Sequence, residues 1–288
     1  MNIRKYSPAL LTLLVFLLAQ GLGTVLFLGI AMIVSPEFND AVRDFLSGKT
    51  QGLPLLEMMS VNTYSIILIV VDILAVMGCY FILHYIRPLA AHDFASIRWR
   101  TGSIAIAAGI LGAVGTSILT EKVPLPDIMV QMSYDMAHSF WGIMALAVIG
   151  PITEELLFRE AIEGEMLRRG ARPWAAIIIS AAAFGFAHLN LAQGLYAIPL
   201  AIIFGIIYYK TGNIILTALL HILNNSIVAL QLRTFGTDAA DITYAEWLGG
   251  TAQAYTLMLI CGILSLALIR VFCNRYQADQ NIQKKAPP

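Results

Sequence analysis

Eight long stretches of this chain are almost empty of charge: 8–34, 62–86, 102–120, 138–158, 174–192, 195–210, 214–232 and 252–273. A helix that crosses a bilayer needs about 20 mostly apolar residues. Backbone amides in lipid find partners only inside helices or closed barrels. Barrel strands alternate apolar and polar residues, whereas these runs are continuous. The stretches therefore predict an all-α, polytopic membrane protein with about eight transmembrane helices. The first run is longer than a signal-peptide core and no small-x-small site follows it, so it reads as a retained span. Composition agrees: 58% of the 288 residues are hydrophobic and only 12% are charged, about half the charge of a soluble domain. A soluble enzyme and a disordered chain are excluded on those numbers. The 18 basic and 18 acidic residues cancel, which leaves no excess for a nucleic-acid partner. Cys79, Cys261 and Cys273 all lie in apolar runs and make neither a disulfide framework nor a C-x-x-C metal knuckle.

Basic residues gather in the cytoplasmic loops of membrane proteins. With eight spans, the N-terminus, the even-numbered loops and the C-terminus share one side. That side holds 14 of the 18 Lys and Arg residues. The expectation is an integral protein with both termini cytoplasmic. Its compact form and short loops point to a bacterial inner (plasma) membrane.

Ionisable groups inside a span are costly and mark function. Here they are Asp72, Glu154, Glu155, Arg159, His188 and His221. Asp72 stands apart, and a hydrogen bond between helices is its favoured reading. The others fall into Glu154-Glu155-x-x-x-Arg159, Phe184-x-x-x-His188 and His221-x-x-x-Asn225. Glu154 and Glu155 point about 100° apart on a helix, so they cannot do the same job. Glu155 meets Arg159 at the i,i+4 spacing, and the pair neutralises two buried charges. Glu154 is left to face a polar cavity. A carboxylate in a poorly solvated site is a stronger base, which suits activation of water. Phe184 lies one turn before His188 and can shield the site. His221 and Asn225 share a face and can both donate to an oxyanion. Each motif alone has a bland alternative: an ion-pair cluster for the first, interhelical hydrogen bonds for the others.

Geometry links the three. The stretch Arg168-Arg169-Gly170-Ala171-Arg172-Pro173 reads as a helix stop, a tight turn and a helix start. Around an apex at residue 171, Glu154 and His188 lie equally far down two antiparallel arms, about 25 Å from the tip if the helices are straight. His221 sits about 10 Å into its own span from the same interface. All three motifs can meet in one cavity open to the cytoplasm. Such a cavity suggests hydrolysis: Glu154, with His188, activates water, while His221 and Asn225 hold the oxyanion. Alternatively, Glu154, His188 and His221 bind Zn²⁺ with water in the fourth position. No H-E-x-x-H and no G-x-S-x-G motif is present, so zincin and serine chemistries are unsupported.

At these residues the sequence resembles the CPBP family, which comprises CAAX prenyl protease type II and bacteriocin-processing (Abi) intramembrane proteases. Glu154–Arg159, Phe184–His188 and His221–Asn225 match the family's E-E-x-x-x-R, F-x-x-x-H and H-x-x-x-N/B motifs in order. The resemblance covers about 140–232 and implies an intramembrane endopeptidase acting on a membrane-associated peptide or protein. It implies Glu154 as the water-activating carboxylate, His188 as its partner, and His221 with Asn225 as a further catalytic or oxyanion group. Glu155, Arg159 and Phe184 support them. The family is labelled metalloprotease, so Zn²⁺ is an implied cofactor. This divides the chain into N-terminal helices over 1–137, about three in number, and a CAAX-protease-like catalytic core over 138–232. An outer loop and last helix fill 233–276, and a disordered cytoplasmic tail 277–288. The competing expectation is a non-catalytic membrane immunity protein, scaffold or small transporter built on the same fold.

Overall fold

A computed structural model describes residues 3–50, 59–89, 97–121, 123, 129–237 and 243–285. Within them every regular element is helical. In chain order these are α1 (Ser7–Val34), α2 (Pro36–Leu46), α3 (Val61–Met77, continued by one wide π-helical turn, Gly78–Ile82) and α4 (Trp99–Thr120). Next come α5 (Val130–Ala137), the long rod α6 (Phe140–Arg168), α7 (Pro173–Ala187), α8 (Leu191–Thr211) and α9 (Ile214–Phe235). The short α10 (Tyr244–Trp247) and the last helix α11 (Thr251–Lys285) complete the order.

Seven of these helices are long and apolar enough to cross a membrane. The chain is thus an all-α polytopic membrane protein, with one correction to the expected count. The fifth expected span, 174–192, is the 15-residue helix α7, too short to qualify. At 1.5 Å per residue α7 reaches about 22 Å, against roughly 30 Å of hydrocarbon. A second correction concerns the tail. Disorder was expected over 277–288, yet α11 continues to Lys285. The segment 277–285 contains neither glycine nor proline, and nothing in it stops a helix. Residues 286–288 lie outside the described residues.

Local chemistry sets the helix ends. The Ser60 side chain accepts from the Thr63 amide at 3.1 Å, and Asn213 accepts from Leu216 at 2.9 Å. Both are N-caps that satisfy otherwise orphaned donors. Gly212 closes α8 with φ +60°, a left-handed conformation that glycine adopts without penalty. Tight approach of helices follows from small residues. Along α4, Gly109, Gly112 and Gly115 face neighbouring helices, and Ser265 of α11 donates to the Ala108 carbonyl at 2.8 Å.

The contacts also define the two ends of the bundle. Lys5 Nζ donates to the Gly170 carbonyl at 2.9 Å, and Arg169 to the Arg4 carbonyl at 3.2 Å. The N-terminus therefore lies at the tip of the α6–α7 hairpin. The Tyr276 hydroxyl donates to the Thr211 carbonyl at 3.1 Å, which brings α11 to the close of α8. Away from that region, the Tyr244 amide donates to Glu121 at 2.8 Å.

Candidate active site

The site is built on α6, which is not a uniform α-helix. It widens into π-helix over Met144–Ile149 and again over Leu156–Gly164, with Glu154 and Glu155 between the two. Such bulges concentrate at functional sites. The first has a visible consequence. In a π turn the Leu146 carbonyl would accept from residue 151, which is a proline and has no N–H. Asn225 Nδ2 of α9 donates to that carbonyl instead, at 2.9 Å. In the second π segment the Ser180 hydroxyl of α7 donates to the Phe158 carbonyl at 2.6 Å. Backbone carbonyls of α6 thus pin α7 and α9 against it.

The charged residues form one chain. Glu155 Oε2 lies 3.2 Å from Arg159 Nε, and both side chains are buried. The pairing expected at i,i+4 is present although π turns intervene. Glu155 Oε1 accepts from His221 Nδ1 at 3.1 Å. That bond fixes the imidazole tautomer and turns Nε2 outward. His221 Nε2 lies 3.5 Å from Glu154 Oε2, and Glu154 keeps 28% of its side chain exposed. Arg159, Glu155, His221 and Glu154 therefore run in series from the sealed interior to an accessible carboxylate.

His188 caps the end of α7, and its Nδ1 donates to the Phe184 carbonyl at 2.9 Å. A carbonyl can only accept, so the neutral ring again presents Nε2 as a free acceptor. The Phe184 ring stands edge-on to both imidazoles, with centroids 4.8 Å from His188 and 5.6 Å from His221. It is the common wall between them, as the shielding role anticipated. Leu189, next to His188, adopts a left-handed φ of 51°, so the α7–α8 turn is held in an uncommon conformation.

The structure also qualifies some expectations. Asn225 is committed to the Leu146 carbonyl and accepts from Asn224 Nδ2 at 3.0 Å, leaving one amide proton for an oxyanion. Asp72 accepts from Gln20 of α1 at 3.3 Å, the interhelical hydrogen bond favoured for it. The proposed metal triad is not gathered. Among the described residues no group of three or more His, Cys, Asp or Glu side chains could hold a metal ion. Glu154 and His221 approach each other, but Glu154, His188 and His221 as placed here do not form such a group.

Two acidic residues on α6 escaped the sequence reading. Glu160 is buried and binds Arg87 Nε at 2.7 Å, Arg168 at 2.8 Å and the Tyr208 hydroxyl. The hydrogen bond to Glu160 holds the Arg87 guanidinium above its usual range. Glu163 lies one turn beyond Arg159 and is fully buried. Both sit where α6 extends ten residues past the expected end of its span at 158. The signal was present in the i,i+4 spacing of Arg159 and Glu163.

The fold and this polar chain define an integral membrane protein with a cluster of buried charged side chains inside its helical bundle. Residues 136–227 match the family described as Type II CAAX prenyl endopeptidase Rce1-like. That match agrees with the resemblance read from the motifs. The match covers about a third of the chain and includes every motif residue from Glu154 to Asn225. No curated protein and no solved structure matches the chain.

Proposed function

We propose that the protein is an endopeptidase that hydrolyses a peptide bond of a membrane-associated peptide, using water activated at Glu154. The observation that carries this reading is the series Arg159–Glu155–His221–Glu154, which ends on a carboxylate open to an incoming group. Arg159 keeps Glu155 ionised, and Glu155 holds His221 by Nδ1. A water within reach of Glu154 and the Nε2 atoms of His221 and His188 loses a proton to Glu154. The hydroxide attacks the peptide carbonyl. Glu154 hands that proton to His221 Nε2, 3.5 Å away, and the resulting imidazolium, with the free amide proton of Asn225, meets the oxyanion. The imidazolium then passes the proton to the leaving amine, so a carboxylate and an amine are released. The family name points to lipidated C-terminal peptides as one substrate class. The loop charge bias supports an opening on the cytoplasmic side, and the compact form with short loops supports a bacterial inner membrane.

The test uses the full-length protein in lipid vesicles with two quenched fluorescent peptides, one farnesylated at a CAAX cysteine and one unmodified and apolar. Wild type cleaves at least one of them. Glu154→Gln and His188→Ala lower the rate by about 10²–10⁴-fold, the range for a lost general base, while the variants still insert. Wild-type rates in both variants, or no cleavage of either peptide by wild type, overturn the reading. Metal analysis of the active protein runs in parallel. Stoichiometric zinc that disappears in His188→Ala and His221→Ala would replace the side-chain route with a zinc one.

A further inference from the structure

The guanidinium of Arg159 is fully buried, yet its hydrogen bonding is thin. Nη1 has no hydrogen-bond partner, and Nη2 reaches only the Ala201 carbonyl at 3.5 Å. One ion pair with Glu155 does not satisfy a group with five donors. The buried carboxylate of Glu163 acts on it from one turn along α6, and two aromatic rings flank it. Its central carbon lies 4.9 Å from the Phe184 ring centroid and 5.7 Å from that of Phe204. The same two rings flank His221, at 5.6 Å and 5.7 Å. Two side chains that carry or acquire positive charge therefore share one pair of aromatic rings. Phe184 belongs to a sequence motif. Phe204 belongs to none: it comes from α8, is 2% exposed, and reaches the site because α7 and α8 touch through Gly185 and Gly194.

We propose that Phe204 is a positioning residue of the active site, whose ring, with that of Phe184, holds the positive charges of Arg159 and His221 in line with Glu155. The inference rests on the protease reading and deepens it. The physical cause is the negative face of the ring, which attracts a desolvated cation. An aliphatic residue of similar bulk would fill the space and supply no such attraction. His221 gains charge when Glu154 hands it the water proton across their 3.5 Å contact, so the ring acts most strongly after substrate has bound. The effect belongs in kcat rather than KM.

The test replaces Phe204 with leucine and with 4-fluoro-, 3,5-difluoro- and 3,4,5-trifluorophenylalanine in vesicle-reconstituted protein. The fluorinated rings keep the shape and progressively weaken the negative face. The expected result is a stepwise fall in kcat along the series, reaching about tenfold for Phe204→Leu, with KM within about twofold. A second readout does not depend on cleavage. Phe204→Leu lowers Tm more in wild type than in an Arg159→Met background, because the charge it engages is then gone. A flat kcat across the fluorinated series together with equal Tm losses in both backgrounds would make Phe204 ordinary packing and overturn the inference. If wild type cleaves neither peptide, the protease reading falls separately, and the Tm comparison still decides whether Phe204 holds the Arg159 charge.

Discussion

Asn225 shows how one side chain can serve structure and chemistry together. Its amide supplies the hydrogen bond that Pro151 denies to the Leu146 carbonyl. Replacing it with leucine leaves that carbonyl unpaired in a bilayer. Asn225→Leu is therefore expected to destabilise the protein by about 1–3 kcal/mol, the cost of an unsatisfied buried group. Thermal unfolding in detergent measures it, and a shift no larger than that of an exposed α1 substitution would contradict the assignment. At this scale much was legible in advance. Ionisable residues are rare inside apolar runs, so Glu154, Glu155, Arg159, His188 and His221 announce themselves, and Glu155 does pair with Arg159. The Leu146 carbonyl and Phe204 were not legible. A backbone carbonyl has no letter in the sequence, and a phenylalanine in an apolar helix looks like core.

Among the elements, the α7–α8 hairpin does most to assemble the site, since it carries Phe184, His188 and Phe204. Its two helices meet at backbone distance. A Cβ at Gly194 would stand 2.7 Å from the Gly185 carbonyl oxygen, whereas one at Gly29 of α1 meets nothing within 4 Å. Gly194→Ala is expected to spread the hairpin, cost about 1–3 kcal/mol and reduce cleavage. Gly29→Ala is expected to be neutral or to stabilise by up to about 1 kcal/mol through helix propensity. Equal Tm values for the two variants would contradict this account. The turn at Gly170 was readable from its Arg-Gly-Ala-Arg-Pro context. The π turns of α6 were not, because spacing rules assume 3.6 residues per turn, and neither was the shortness of α7.

For the whole molecule, Glu160 is the point where distant parts of the chain meet. It joins Arg87 after α3, Arg168 at the tip of α6 and Tyr208 on α8. Glu160→Ala strands two arginines beside a hydroxyl. Breaking a fully buried ion pair costs about 3–5 kcal/mol. Arg87 keeps 56% of its side chain exposed, and water takes over part of its charge, so the expected loss is about 2 kcal/mol. Chemical denaturation measures it, and an unchanged midpoint would show that the cluster carries no stability. Helix number was close to readable, because apolar length acts along the whole sequence. The Glu160 cluster was not, since its partners lie 73 and 8 residues away.

The tie between Lys5 and Gly170 spans 165 residues of sequence, and it carries a clock. At a synthesis rate of roughly 5–20 residues per second, α1 waits on the order of 8–30 s in the bilayer before its partner exists. During that wait its Gln20 is a polar group in lipid with no Asp72, and then with no α6 to lie against. The first helix must therefore be held by something other than its final neighbours. The polar chain closes only when His221 arrives, 66 residues after Glu155. Under the proposed function, a nascent molecule cannot cut anything, itself included, until about three quarters of its 288 residues have been made.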